Sequence, residues 1–396
     1  MSRNFRRSEP PLRPKKRIEL STEKLALRIL LLGIAILTAS LAFSGVFNSL
    51  IATPTGWQQI TPEQSETGAE QDFLLCYNIG QTELSAKAEV KALSSLYGQA
   101  MDHGCRALAN TAYDGYVNLS DLNSQPNTAL AVDPLLYAAF QTIEASGSRM
   151  VYFAPLMESY RSLFSCADDE TAAQFDPEKS GEMARFAQEI ASFALDSEAV
   201  QVRLLPENTL RLEVSPEYLD YARENELESF VDLGLLRNAF LCDAVAEELE
   251  QQGYVNGYLT SFDGFTRALC QEEFGLNVFD FQEGQGYQVD TALYQGPCTV
   301  VSCRSFPILD MDQVNYYTYA DGSVRAPYFG DDGLLHTACP SLNTLSRELS
   351  AAELAIRTLE AYAGTDAAFP SLEEFSWVSG GNGTATYHGE DFKPAE

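Results

Sequence analysis

The sequence predicts an α+β fold carried behind one N-terminal transmembrane helix. Three observations predict it. Stretches of apolar residues at helical spacing recur along the chain, and period-two runs around 200–214, 254–270 and 298–319 read as strands. Both kinds are interleaved, which argues for antiparallel sheet with packed helices. Ahead of them, Ile29 to Ile51 is a 23-residue run with no charge. As a helix it rises about 34 Å, enough to cross a hydrocarbon core of about 30 Å.

The elements follow in order. Residues 1–28 hold nine bases and three acids, which leaves 17 bases and 53 acids for the rest, a net −36. The positive-inside rule places residues 1–28 in the cytoplasm as a basic segment and everything after residue 51 outside, in a single-pass protein of the cell membrane. A cleaved signal peptide ending near Ser40-Leu41-Ala42 is the alternative, but the basic lead is long for one. Residues 52–70, polar with two prolines and two glycines, read as a stalk. The folded domain is expected over 71–364.

Within it, Ser85–Leu108 has helical spacing, and Asp133-Pro134 supplies an N-cap and first-turn proline for the next helix. Pro177–Leu195 places Met183, Phe186, Ile190 and Phe193 on one helical face. Val200, Val202 and Leu204 alternate, Pro206-Glu207-Asn208 turns, and Leu210, Leu212 and Val214 alternate again, a β-hairpin. Arg237–Gln252 is helical and closed by Gly253, with Phe240, Leu241, Val245 and Leu249 expected to face a sheet. Strands are expected at Tyr254–Thr260, Phe265–Cys270, Cys298–Cys303 and Tyr316–Tyr319, then a turn at Asp321-Gly322. A last helix spans Ser350–Ala363, and 365–396 reads as an acidic, glycine-bearing solvated tail.

Composition excludes several functions. The formal charge of −30 leaves no basic face for nucleic acid. Three scattered histidines and eight cysteines without a CxxC argue against a zinc site. GxSxG, HExxH, Walker and GxGxxG patterns are absent. Acid runs such as Asp331-Asp332, Glu373-Glu374 and Asp168-Asp169-Glu170 read as solvated surface.

The stretch Asp232–Leu269 carries the most information. An Asp-Leu-Gly turn enters a helix whose free N–H groups suit a phosphate, and a second acidic-glycine turn follows at Asp263-Gly264. On spacing alone this is an ordinary turn–helix–strand unit with an aspartate cap. The order of its parts resembles the ApbE-type flavin transferases (FAD:protein FMN transferases), whose pattern is roughly D-L-G-G-I-A-K-G-Y-A-V-D, a helix, then G-x-x-N-A-L-V-N-x-G-G-D. Asp232, Leu233, Gly234, Asp243, Gly253 and Asn256 match. Tyr113–Asn123, Asp321–Gly333 and the helix around Glu353 resemble further segments, so the resemblance spans about 73–364.

That resemblance implies an ApbE-like mixed sheet, FAD and Mg2+ as cofactors, and transfer of FMN to a threonine or serine of an exported redox protein. It points to Asp232, Gly234, Arg237, Asn238, Asp263, Gly264, Gly333 and Arg357 for cofactor binding and to Glu353 for the metal. The departures fall on working positions. Asn238 stands for a lysine, Ala239 and Leu235 for glycines, and Phe262-Asp263-Gly264 for Gly-Gly-Asp. Ala326, Phe329, Gly330 and Asp332 stand for His, Asp, Pro and Thr, while Gly333 persists. Glu353 replaces an aspartate, and Arg357 replaces a threonine or aspartate.

Phosphoryl transfer depends on cations that neutralise the transferring group. The expectation is an ApbE-like protein with lost or altered transfer. An active Mg2+-dependent transferase and a partner-binding ectodomain that never sees flavin are the alternatives. Any dinucleotide binding is expected to be Mg2+-independent through Arg357 or Arg237, unless Arg357 merely pairs with Glu353 on the helix surface.

Overall fold

The computed structural model describes residues 53–63, 66–308 and 314–395. The basic segment 1–28 and the apolar run 29–51 lie outside the described residues. Among those described, no helix is long and apolar enough to cross a membrane.

The polar stretch read as a stalk is instead built into the sheet. β1 (Gly56–Ile60) pairs antiparallel with β2 (Phe73–Ile79), setting Gly56 opposite Ile79 and Ile60 opposite Leu75. β1 lies at the sheet edge with alternate residues exposed, so it reads as polar sequence. β2 buries Phe73, Leu75, Tyr77 and Ile79 on one face. α1 (Ala86–Ala107) is capped by Ser85, which accepts from Ala88 N, and buries Leu93, Tyr97, Met101 and Cys105 at four-residue spacing.

α2 (Leu119–Ser124) starts with an Asn118/Asp121 capping box. β3 (Ala129–Ala131) leads to α3 (Pro134–Ser146), whose cap is Asp133, as its Asp-Pro signal predicts. α4 (Ala154–Phe164) and α5 (Asp169–Phe175) follow. α6 (Gly181–Leu195) begins four residues later than expected, because Ser180 rather than the Pro177 turn supplies the cap. β4 (Val200–Leu205) and β5 (Thr209–Val214) form the expected hairpin, in a separate three-stranded sheet with β3. α7 (Pro216–Glu224) precedes α8 (Leu236–Gln251). α8 ends as predicted, with Gly253 N donating to Glu250 O and Tyr254 N to Leu249 O.

β6 (Gly257–Ser261) and β7 (Phe265–Ala268) are followed by a long hairpin of β8 (Glu273–Gln282) and β9 (Gln285–Gln295) that the sequence reading missed. β10 (Cys298–Arg304) comes next. The expected Tyr316–Tyr319 strand shrinks to β11 (Tyr317–Thr318), paired only with β12 (Val324–Arg325). Its tyrosines are held from outside the sheet, Tyr317 Oη donating to Asp169 and Tyr319 Oη to Asp176. β13 (Ser341–Ser346) and α9 (Ala351–Tyr362) follow. The expected tail is structured too. β14 (Ser376–Gly381), β15 (Thr384–His388) and β16 (Lys393–Pro394) run to the end of the described chain. The domain therefore runs from Pro54 to the C-terminus and not over 71–364.

The main sheet has eight antiparallel strands in the order β1-β2-β6-β7-β10-β13-β14-β15. Both its faces are covered, which explains why β10 is buried along most of its length. Val301 and Cys303 join the helical core, whereas Val300 joins Val278, Ala292, Leu345 and Val378 in a second core under the β8–β9–β16 sheet. α8 is enclosed on several sides. Phe240, Leu241, Val245 and Leu249 are all buried, yet Leu241 lies against Gly104 of α1, and it is Cys242 that points at the Leu259 and Phe265 carbonyls of the sheet. All eight cysteines are unpaired and five are buried, where they pack as small apolar groups.

Candidate functional site

A cavity of about 840 Å³ opens where the N-terminus of α8, the β6–β7 turn and α4 meet. Its size suits a cofactor-sized ligand. The segment joining β1 to β2 closes one side with Thr67 and Asp72, and Pro327 to Phe329 closes another.

The Asp232-Leu233-Gly234 turn forms the floor. Asp232 Oδ1 accepts from Gly234 N at 2.9 Å, and its other oxygen takes the Arg161 guanidinium and Asn110 Nδ2. Gly234 has φ +54, a left-handed conformation that favours glycine, and a Cβ there would push on the flexible end of Met157 at 2.7 Å. Behind it, Asn123 Oδ1 accepts from Phe230 N and Val231 N while its Nδ2 donates to Val231 O and Asn110 Oδ1. One buried amide thus ties the loop to α2.

In the first turn of α8, Asn238 Nδ2 donates to Asp263 Oδ2 at 2.9 Å. The other oxygen of Asp263 has no partner. Asp263 is partly buried at the cavity wall, and burial pushes its carboxyl up to about 6, opposed by the polar Ser261 and Asn238 beside it. Burial also raises Asp72, opposed by the charge of Arg237. Gly264 does not line the cavity. It has φ +110, its carbonyl accepts from Ser302 N, and a Cβ would meet Ser302 O at 2.0 Å. It sets the turn that aims Asp263.

The structure brings Asp232, Gly234, Arg237, Asn238 and Asp263 into one wall; besides Gly264, three more expected residues lie elsewhere. Gly333 does not line the cavity; its carbonyl accepts from Tyr160 Oη. Arg357 does not line it either. The guanidinium pairs with Glu374 at 3.2 Å and lies 5.7 Å from the Phe375 ring. Glu353 forms half of a capping box, its Oε2 accepting from Ser350 N at 2.9 Å. The expected Glu353–Arg357 pair is not formed, because each has a closer partner. Sequence reasoning missed Arg161, Asp72 and Asn110. Arg161 carried no local signal beyond being a base in an acidic body, and Asp72 none beyond being one acid among many.

Two solved structures share this arrangement of sheets and helices. The flavin transferase ApbE from Vibrio cholerae superposes with a TM-score of 0.53 at 12% identity, over 86% of this chain and 97% of that one. The ApbE protein of Thermotoga maritima gives 0.52 at 11% identity, again over 86% and 97%. The chain has an ApbE-like fold. No family model and no curated protein matches the sequence.

Within this ApbE-like fold the two cofactors named by the sequence resemblance fare differently. The cavity, with Tyr113, Phe164 and Phe329 among its apolar lining and guanidinium donors in its wall, fits a planar ring bearing an anionic group. A metal does not fit the residues present. Among the described residues no three His, Cys, Asp or Glu side chains converge as ligands. The helix position expected to supply one is engaged in capping.

Proposed function

We infer that this chain is a membrane-anchored, extracytoplasmic ApbE-like protein that binds FAD in the α8 cavity and whose transfer of FMN to an exported redox protein is lost or altered. The observation that carries this reading is Asn238. The resemblance assigns that position to a lysine, and here a neutral amide occupies it, tied to a carboxylate at 2.9 Å. Transfer of a phosphoryl-linked group needs cationic neutralisation at the reacting phosphate, and an amide paired to Asp263 provides none. The residues that remain are suited to binding. Arg161 and Arg237 offer donors, Phe329 and Phe164 offer apolar faces, and Asp232 holds the turn rigid.

The anchor is residues 29–51, uncharged and flanked by bases on one side only. FAD incubated with the purified protein and then desalted should leave flavin absorbance with the protein, without release of AMP in magnesium. Magnesium-dependent AMP release would make it an active transferase. Loss of all flavin on desalting would make it a partner-binding ectodomain.

A further inference from the structure

We propose that Arg237 is the anion-binding residue of the cavity, holding a phosphate group of the ligand directly and without a metal ion. The proposal rests on the flavin nucleotide reading above and deepens it.

Arg237 lines the cavity from the first turn of α8. A guanidinium has five N–H donors. Here Nη2 donates to Cys105 Sγ at 2.8 Å, and Nε is buried with no partner. Arg161, the other guanidinium in the wall, is already paired with Asp232. Among the described residues no carboxylate lies within ion-pair distance of Arg237, although Asp72 is near enough to act on it by charge. A half-buried guanidinium balanced only through space by Asp72, with no direct ion pair, keeps part of its desolvation cost.

Its position adds to that cost. α8 has sixteen residues, and its N-terminal end carries the positive pole of the helix dipole. A cation there is unfavourable unless an anion joins it. No side chain caps this helix. The first two amides of the helix are engaged, Leu236 N with Leu233 O and Arg237 N with Gly234 O, so it is the guanidinium without an ion pair, set at the positive pole of the helix, that offers the cavity charge-assisted hydrogen bonds suited to a phosphate oxygen. The aromatic lining places a ring beside that phosphate. Arg237 adjoins Asn238, so a cation persists one residue from the position where the resemblance expects one. At that neighbouring position it reaches Cys105 of α1 rather than Asp263.

The test is calorimetric titration of the full chain in detergent with three probes, FAD, riboflavin and inorganic pyrophosphate, each in magnesium and in EDTA. FAD and pyrophosphate should bind equally in both. Arg237→Ala should weaken both by about 10- to 100-fold, the loss of charge-assisted hydrogen bonds, while Arg237→Lys keeps most of the pyrophosphate affinity. Riboflavin binding should be unchanged in Arg237→Ala and its thermal melt no lower than the parent's, which reports an intact fold. FAD binding abolished by EDTA, or equal in Arg237→Ala and the parent, overturns the proposal and leaves the flavin reading standing. Pyrophosphate bound through Arg237 with no flavin bound supports the anion site and defeats the flavin reading. No probe bound by the parent defeats both.

Discussion

Two helix N-termini in this molecule are finished in opposite ways. At α9 every available device is used. Ser350 Oγ accepts from Glu353 N, Glu353 accepts from Ser350 N, and the Asp243 carboxylate takes Ala351 N at 2.7 Å and Ala352 N at 2.8 Å. Asp243 is itself paired with Arg267 at 2.7 Å. At α8 no side chain caps the helix, and a cation stands in its first turn. The first terminus has no donor left for a ligand, whereas the second opens on a cavity. Glu353 fits the family-like position for a metal ligand, but one of its oxygens is committed to its own helix end, and among the described residues no group of three His, Cys, Asp or Glu converges there. Motif position alone does not say which terminus is a site; the state of its hydrogen bonds does.

The largest expected effect breaks the closed terminus. Asp243→Ala leaves Arg267 nearly buried without its short partner and two α9 amides without acceptors. Stability should fall by about 3–5 kcal/mol in urea unfolding. A loss below about 1 kcal/mol would mean that α9 is not held through this carboxylate.

A smaller effect belongs to the open terminus and depends on pH. Burial raises Asp263 to about 6, against an unfolded value of about 3.9. The folded state therefore binds this proton more tightly. The stability that the proton confers is present below about pH 4 and is lost as pH rises toward 6. Asp263→Asn removes the titration and keeps the shape. Its stability relative to the parent should climb between about pH 4 and 6 and level off above, by on the order of 2–3 kcal/mol. A difference that stays flat across that range would show that Asp263 is solvated like any surface carboxylate.

The smallest effect concerns the residue that sequence reasoning placed at the site. Arg357 is half-exposed and pairs with the exposed Glu374. Arg357→Ala should change stability by less than about 1 kcal/mol and leave FAD affinity as it was. A clear loss of FAD affinity would return Arg357 to the cavity and collapse the contrast between the two termini.

What the sequence determined by itself is what local chemistry encodes. Asp133-Pro134 and Gly253 mark helix ends because a cap acts on its own turn, and Val200–Val214 reads as a hairpin because alternation is a property of consecutive residues. The likeness of Asp232 and Gly234 to a known pattern pointed to one wall of the cavity. Tertiary structure decided the rest. Gly56–Ile60 reads as stalk because an edge strand exposes alternate residues and so looks polar, Ser376–His388 reads as tail because its glycines and small polar residues give no apolar alternation, and only pairing to β2 and β13 makes them sheet. Asn238 meets Asp263 across 25 positions, and Arg161 meets Asp232 across 71. A charged or amide side chain takes whichever partner the fold brings within about 3 Å. No spacing along the chain reveals that choice, which is why Arg357 belongs to Glu374 and Arg237 to the cavity.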